Sequence, residues 1–255
     1  MKMFIEGKWV NRDDVQEVLN PYDGSIIDTV PSASINDVEK AVDSAEKGFM
    51  DMKKLTAFDR YTLLMKASKL IEERKEDLAR TITLEEGKVI SEGRLEVERC
   101  LQTIIFSAEE AKRLNSEIIP LDAAPGNSGK FGFTLRVPVG IVAAISPFNF
   151  PLNLVAHKVG PALAAGNSVV LKPASDTPLS ALKLTEIMID SGFPPESIQC
   201  ITGSGSTIGN ALVSNPKIRK VTFTGSQEVG EVICKAAGIK NCLLYTSDAA
   251  DDRMR

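Results

Sequence analysis

Hydrophobic positions in the first half of the chain recur mostly with a helical period. In "SINDVEKAVDSAEKGF" the apolar residues fall on one helical face, and Ser34 or Asn36 is placed to cap the helix. Residues 58–80 and 88–114 continue as long, charged, amphipathic segments of the same period. This part of the chain is therefore predicted to be a layer of helices.

Short extended segments flank these helices. "FIEGKWV" and "SIIDTVPSA" are typical of strands on either side of the turn signal "NPYDG". Residues 117–139 contain two extended stretches joined by a tip rich in Gly, Pro and Asn. We expect this segment to form a protruding β-hairpin.

From residue 140 onward the pattern changes to alternating strands and helices. The predicted strands are "GIVAAISP", "NSVVLKP", "SIQCITG" and "KVTFTG", and a predicted helix follows each of them. "GIVAAISP" is a continuous apolar run, as expected for a strand buried on both faces of a parallel sheet. The pattern predicts the α/β class, with a doubly wound parallel sheet.

Ligands of such sheets bind beyond the carboxyl ends of the strands, which directs attention to four loops. These are Ser146–Asn149, Lys172–Asp176, Gly203–Gly209 and Thr224–Gly230.

Composition narrows the classes of partner. The 255 residues are 43% hydrophobic and 25% charged, with a net charge of −4 and no basic block, which argues against nucleic acid or an anionic membrane as the partner. The start lacks the apolar region of a signal peptide, and no apolar stretch is long enough to span a bilayer. We expect a cytoplasmic protein without a membrane partner.

The cysteines and the histidine argue against a metal site. The four cysteines form no CxxC pair, and His157 is the sole histidine. We therefore predict no metal and no disulfide framework, and we interpret the cysteines as reduced thiols.

Lys172 directly follows the second buried strand, where a lysine can bond ribose hydroxyls or neutralise a phosphate. The alternative is a solvated surface lysine. The preceding apolar strand, and the backbone fixed by Pro173, favour the binding role.

Two glycine-containing stretches follow the later strands. "TGSGSTIG" misses the GxGxxG fingerprint because Ile208 stands at the third glycine, and in "TGSQEVG" Gly225 follows a strand and Ser226 opens a helix. A helix N-terminus preceded by glycine suits a pyrophosphate. Each stretch alone is explained by a tight turn, whereas both together favour a nucleotide site.

We interpret the other ionisable and nucleophilic residues as structural. His157 is expected to be a buried core residue, and Cys100, Cys200 and Cys234 are expected to be core or surface residues. The pairs Glu72–Glu73 and Glu85–Glu86 are expected to lie on solvated helix faces.

The segment "AAISPFNFPLNL" places one carboxamide, Asn149, between two phenylalanines and two prolines, which is a poor composition for a core. This segment, "KVGPALAAGNSVVLKPAS", "ITGSGSTIG" and "VTFTGSQEVG" occur in the order and spacing of the aldehyde dehydrogenase superfamily. The chain resembles that family from "FIEGKWV" to about Lys240. Within the family, "NFPLNLVAHKVGPALA" is most similar to the lactaldehyde and succinate-semialdehyde enzymes.

The resemblance implies a Rossmann-like fold and oxidation of a small aldehyde with NAD or NADP. In this family a cysteine thiolate attacks the aldehyde, hydride moves to the nicotinamide, and a glutamate activates water to release the acid. Asn149 would be catalytic, donating its amide to the oxyanion; the alternative is an asparagine that satisfies loop backbone groups. The resemblance also implies a homo-oligomeric parent protein, with the hairpin at 117–139 as the oligomerisation element.

By the same resemblance, Lys172 and Ser175 would contact the adenine ribose, Gly205 and Gly209 would line the adenine side, and Gly225 and Ser226 would approach the pyrophosphate and nicotinamide. The remaining cofactor residues would be Ile145, Ser146, Pro147, Phe148, Phe223 and Thr224. NAD-preferring members often carry glutamate where Ser175 stands, so its absence implies that NADP is tolerated, although Asp176 next to it acts against this.

The resemblance ends near residue 240. The family continues into a strand with a Glu-Leu-Gly-Gly motif, whose glutamate is the base, and then to the nucleophilic cysteine. This chain reads "NCLLYTSDAADDRMR", and Cys242 stands in the wrong context for the nucleophile. We expect residues 1–240 to be the N-terminal NAD(P)-binding domain, and 241–255 to be a disordered tail foreign to the family.

This break predicts a truncated chain that is inactive alone and poorly soluble, because surfaces meant for the rest of the protein would be exposed. Two other functions stay open. One is a non-catalytic dinucleotide-binding remnant, and the other is an acyl-phosphate or CoA-linked reductase of the same fold.

Overall fold

The computed structural model describes residues 1–239 and 242–248. Its N-terminal region contains β1 (Met3–Ile5), β2 (Lys8–Val10), β3 (Val15–Leu19) and β4 (Ile26–Pro31). β1 turns directly into β2 at Glu6 and Gly7, which both have positive φ, and β3 pairs with β4 across "NPYDG". The sequence signals missed β3, because Val18 is its one buried residue and its apolar pattern is correspondingly weak.

The helical layer follows as α1 (Ile35–Met52), α2 (Ala57–Glu73), α3 (Lys75–Glu86) and α4 (Ile90–Ala111). Ser34, one of the two proposed caps, begins α1 in a reciprocal capping box with Asp37. The predicted helix at 58–80 is two helices, which meet at Arg74.

The hairpin predicted at 117–139 contains β5 (Ile118–Ile119) and β6 (Gly132–Phe133), which pair antiparallel. Six of its large apolar side chains are exposed: Ile118, Ile119, Phe131, Phe133, Leu135 and Val137.

The second half alternates strands and helices as predicted. Its elements are β7 (Ile141–Ile145), α5 (Asn153–Ala164), β8 (Ser168–Lys172), α6 (Leu179–Asp190), β9 (Ile198–Cys200), α7 (Asn210–Ser214), β10 (Ile218–Gly225), α8 (Gln227–Ile239) and β11 (Leu243–Asp248). A π-helical turn at Gly205–Gly209 leads into α7.

The main sheet has seven strands in the order β11-β10-β7-β8-β9-β1-β2. The five strands from β11 to β9 are parallel, and β1 and β2 are antiparallel additions at the edge. The chain runs outward from β7 to β9 and then returns to β10 on the other side of β7. The predicted α/β class and parallel sheet are confirmed, and the point where the strand order reverses lies between β7 and β10.

Helices cover both faces of this sheet, so β7 and β8 are buried throughout. One core cluster includes Leu64, Ile104 and Leu182, and a second includes Val38 and Leu212. Across the described residues, no helix is both long and apolar enough to cross a membrane.

The structure corrects the prediction for the end of the chain. Residues 243–248 form β11, which pairs in parallel with β10 from Lys220–Leu243 to Gly225–Asp248. The prediction of disorder is therefore wrong for these six residues, since the apolar start of "LLYTSD" can pair with the open edge of β10. The rest of the predicted tail, residues 241 and 249–255, lies outside the described residues.

Candidate functional site

The four loops singled out in the sequence meet at the carboxyl edge of the parallel strands. Ile145 at the end of β7 pairs with Lys172 of β8 on one side and with Phe223 of β10 on the other. The segments that begin at Ser146 and at Thr224 therefore leave the sheet side by side, next to the point where strand order reverses.

Lys172 is a buried lysine, so the alternative of a solvated surface residue is wrong. Its side chain is 4% exposed, and its Nζ donates to the carbonyl of Pro173 at 2.8 Å. A Cβ atom built on Gly205 or Gly209 would lie 3.9 or 3.7 Å from its stem, so both glycines border this side chain. Burial lowers the pKa of Lys172 to about 8, although the charge of Asp176 acts in the opposite direction.

Ser175 connects the loops after β8 and β9. Its Oγ donates to the carbonyl of Gly203 at 3.1 Å, and its own carbonyl accepts from Gln16 Nε2 at 2.8 Å. Gly203 has a φ of +136°, which a residue with a side chain rarely adopts. Asp176, the next residue after Ser175, is exposed.

The loop after β7 contains two buried polar atoms without a partner in the described part of the chain, Ser146 Oγ and Asn149 Oδ1. Pro147 is buried beside them, and the carbonyl of Phe148 accepts from Thr177 Oγ1 at 3.4 Å. Buried polar atoms normally take a hydrogen bond. The Oδ1 atom of Asn149 does not serve the loop backbone, and both orphan atoms lie where a ligand is expected.

The turn from β10 into α8 fits the predicted glycine requirement. A Cβ atom on Gly225 would lie 2.4 Å from the ring of Phe223, so a larger residue would clash there. The carbonyl of Ser226 accepts from the N–H of Gly230 at 3.0 Å, which places Ser226 at the start of the helix. The first-turn N–H groups of α8 have no partner within the helix and can bind an anion.

Lys158 is a site residue that the sequence reasoning missed. It lies on α5, is 4% exposed, and donates from Nζ to Thr224 Oγ1 at 2.5 Å. Burial lowers its pKa to about 8. The feature of the sequence that could have identified Lys158 is the position of this lysine inside the apolar run "LNLVAHKVGPALA". His157 beside it is exposed, so the prediction of a buried core histidine is wrong; α5 turns Lys158 inward instead.

The prediction that Glu85 lies on a solvated helix face is wrong. Glu85 is 3% exposed, and its carboxylate accepts from the N–H groups of Leu179 at 2.7 Å and Ser180 at 2.9 Å. The helix α6 has no side-chain cap of its own, so this carboxylate of α3 takes that place. Burial raises the pKa of Glu85 to about 7, although the hydrogen bonds act against the rise. Glu72 and Glu73 are exposed, as predicted.

The cysteines do not join the predicted site. Cys100 and Cys200 are buried, and burial raises the pKa of both thiols, that of Cys200 to about 12. Cys234 is exposed on α8. Cys242 lies at the amino end of β11, with its Sγ 3.7 Å from the carbonyl of Ile218. That edge of the sheet is opposite the one that bears Asn149.

An open groove of about 570 Å³ lies between α4 and α5. Thr103 Oγ1 donates to Asn153 Oδ1 at 3.0 Å and lies 3.4 Å from His157 Nε2. The groove is lined by Glu98, Arg99, Leu101, Gln102, Thr103, Phe106, Asn153 and His157. Six of these eight residues are polar or charged, but most of the surface that they present to the groove is apolar.

Comparison with known proteins agrees with this architecture. The chain is 46% identical over 242 residues to 3-sulfolactaldehyde dehydrogenase of Priestia aryabhattai, covering 95% of this chain and 50% of that protein. It is 42% identical over 246 residues to lactaldehyde dehydrogenase of Methanocaldococcus jannaschii, covering 95% and 52%. A crystal structure of an E. coli NADP dependent enzyme superposes with a TM-score of 0.94 at 36% identity, covering 98% of this chain and 52% of that one.

The chain spans about half the length of the curated relatives it matches. Residues 9–247 match the aldehyde dehydrogenase family, so the match includes most of β11 and extends past the end predicted near residue 240. The resemblance seen in the sequence is confirmed over nearly the whole chain: it belongs to the aldehyde dehydrogenase family.

Proposed function

We propose that this chain provides the dinucleotide-binding part of an NAD(P)-dependent aldehyde dehydrogenase, with Asn149 as the oxyanion donor. The observation that carries the proposal is the meeting of three features at one sheet edge. They are a buried lysine bordered by two glycines, the N-terminal turn of α8, and the buried carboxamide of Asn149.

The residues at this edge fit a dinucleotide. Among the described residues, Lys172 Nζ donates one hydrogen bond, to the carbonyl of Pro173, which leaves donors for ribose hydroxyls or a phosphate. Ser175 lies three residues further on. The adenine and pyrophosphate would be held beside Gly205, Gly209, Gly225 and Ser226. Ile145, Ser146, Pro147, Phe148, Phe223 and Thr224 would complete the site. When bound, the nicotinamide accepts the hydride that leaves the substrate.

Asn149 would stabilise the negative charge that develops on the substrate oxygen. An amide N–H held in place is a neutral donor that needs no rearrangement during the reaction, and loss of one such donor typically lowers the rate by roughly 10²–10³. The hydrogen bond from Lys158 to Thr224 would hold α5 against the carboxyl end of β10.

We propose that the 255-residue chain does not oxidise aldehydes by itself. It contains no Glu-Leu-Gly-Gly motif, and its buried thiols have raised pKa values, which disfavour the thiolate. Cys242 lies at the opposite edge of the sheet. No residue of the chain is therefore assigned as nucleophile or base.

For the substrate, we propose a small hydroxylated aldehyde. The names of both relatives support this proposal. We further propose a cytoplasmic homo-oligomer as the working protein. The exposed apolar side chains of the hairpin at 117–139 support such an interface.

Calorimetric titration of the purified chain with NAD⁺ and NADP⁺ tests the proposal. We expect saturable one-site binding of both, and no formation of reduced nicotinamide when lactaldehyde is added. Lys183→Met removes a lysine that forms an ion pair with Asp77, and it serves as the control for loss of a lysine outside the proposed site. This variant should bind both cofactors as the wild type does. Absence of saturable binding would overturn the dinucleotide site, and turnover by the chain alone would overturn its proposed inactivity.

Cofactor preference gives a specific prediction. A carboxylate introduced by Ser175→Glu would lie near Lys172 and repel the 2′-phosphate, so NADP⁺ should bind about tenfold more weakly relative to NAD⁺. Competition titration of the two cofactors measures the ratio. Ser214→Glu adds the same charge at the exposed end of α7 and should leave the ratio unchanged. An equal loss for both cofactors would show that Ser175 does not lie beside the ribose.

A further inference from the structure

We propose that Lys88 and Glu96 are positioning residues, which hold the backbone of residues 149–153 and thereby place the Asn149 carboxamide. The inference rests on the proposed function, because it concerns the support of the proposed oxyanion donor. Neither residue lies on the sheet: Lys88 stands between α3 and α4, and Glu96 lies on α4.

Glu96 caps α5 from another helix. Its side chain is fully buried, and Oε1 accepts from the N–H groups of Leu152 at 2.9 Å and Asn153 at 3.1 Å. Leu152 at the start of α5 has no side-chain cap to offer. The orphan donors of this helix start are therefore satisfied by a carboxylate more than 50 residues earlier in the chain.

Lys88 connects the Glu96 carboxylate to Asn149, the proposed oxyanion donor. Its Nζ lies 3.0 Å from Glu96 Oε2, donates to the carbonyl oxygen of Asn149, and stands 3.7 Å from the centre of the Phe150 ring. A buried charge pair is stabilising when further hydrogen bonds satisfy it, and here these bonds go to the loop backbone. Lys88 and Glu96 together contact four of the five residues from Asn149 to Asn153, all except Pro151.

The side chain of Asn149 needs this support. Asn149 is 4% exposed, and its Oδ1 has no hydrogen-bond partner in the described part of the chain. The hydrogen bond from Lys88 reaches Asn149 through its backbone carbonyl, and so the backbone sets where the carboxamide points. Displacement of a reacting group by about 1 Å can cost about 10² in rate, which gives the anchor a functional consequence.

The test follows the Asn149 side-chain amide directly, by NMR of the ¹⁵N-labelled 255-residue chain. Its pair of NH₂ signals is assigned by its loss in Asn149→Ala. In Lys88→Met we expect the pair to shift and broaden, and in Lys88→Arg, which keeps the cation and its donors, we expect the wild-type position to return. A purely structural role would not produce this rescue at one amide.

Hydrogen exchange gives a second measurement that does not depend on Lys88 variants. Glu96→Gln retains the volume of the side chain but loses its charge, so the amides of Leu152 and Asn153 should exchange about tenfold faster. The matched control is Lys75→Met, which removes the ion pair between Lys75 of α3 and Glu98 of α4 and does not touch the loop. It should leave both the amide pair and the exchange rates unchanged.

The outcomes separate this inference from the proposed function. If the Asn149 signals and the exchange rates ignore Lys88→Met and Glu96→Gln, the positioning role is wrong, whether or not the chain binds NAD⁺. If they respond as expected while wild type binds no dinucleotide, the positioning role holds and the proposed function fails.

Discussion

Replacing Lys172 by methionine should weaken binding of NADP⁺ to this chain about 10- to 100-fold, and binding of NAD⁺ by less. A hydrogen bond to a charged group contributes about 1.5–3 kcal/mol. Lys172 is buried, and its stem borders Gly205 and Gly209. Methionine has a similar volume and suits the buried site, so the loss should come from the missing charge. Titration calorimetry of the variant with both cofactors measures the effect.

The pH dependence identifies the group responsible. Because burial lowers the pKa of Lys172 to about 8, the ammonium is present below this pH and is lost above it. NADP⁺ affinity of the wild type should therefore fall as the pH rises through 8, whereas Lys172→Met should show no such fall. A fall of equal size in the variant would assign the titration to another group, such as Lys158, whose pKa is also about 8.

As the pH rises, the free energy of unfolding of the wild type should change in the opposite direction from its NADP⁺ affinity. The unfolded chain keeps this lysine protonated up to its ordinary pKa of 10.5, so between pH 8 and 10.5 it binds more protons than the folded chain. Wild-type stability contributed by Lys172 therefore rises with pH over this window. The methionine variant avoids burying an ammonium, and at neutral pH it should be at least as stable as wild type.

The sheet and its loops could be predicted from the sequence because their signal is local. Apolar runs such as "SVVL" identify strands buried on both faces, and the residue after each run must lie at the shared carboxyl edge. Lys172 and Gly225 were found in this way. The clash that a Cβ on Gly225 would make with Phe223 also lies within a few residues of chain.

Long-range contacts could not be predicted in the same way. Helical periodicity does not show which distant N–H groups Glu85 and Glu96 meet. Glu85 reaches Leu179 across 94 residues, and Glu96 reaches Leu152 across 56. A carboxylate on a helix is most often solvated, so the local pattern alone favoured the wrong interpretation for Glu85.

These two carboxylates give the helical layer a role beyond covering the sheet. α5 and α6 both begin without a side-chain cap, directly after the loops that follow β7 and β8. Glu96 and Glu85 supply the missing acceptors from α4 and α3. The loops that carry Asn149 and Ser175 are thus held from the helical side as well as from the sheet.

Replacing Glu85 by alanine should lower the free energy of unfolding by about 2–4 kcal/mol at pH 5. The variant leaves the buried N–H groups of Leu179 and Ser180 without their acceptor, and each such group costs about 1–3 kcal/mol. Urea unfolding of both proteins measures the difference. Glu72→Ala, which removes an exposed glutamate from α2, is the matched control and should change stability by less than about 0.5 kcal/mol.

The same carboxyl group should make wild-type stability depend on pH. The folded-state pKa of Glu85, about 7, lies above its ordinary value of 4.5, so the folded chain binds more protons between these two values. The contribution of Glu85 is therefore fully present below pH 4.5 and decreases as the pH rises through 7. In Glu85→Gln, which keeps one acceptor oxygen but cannot titrate, this decrease should be absent. Parallel pH profiles for wild type and Glu85→Gln would show that the carboxyl is not buried against α6 as described.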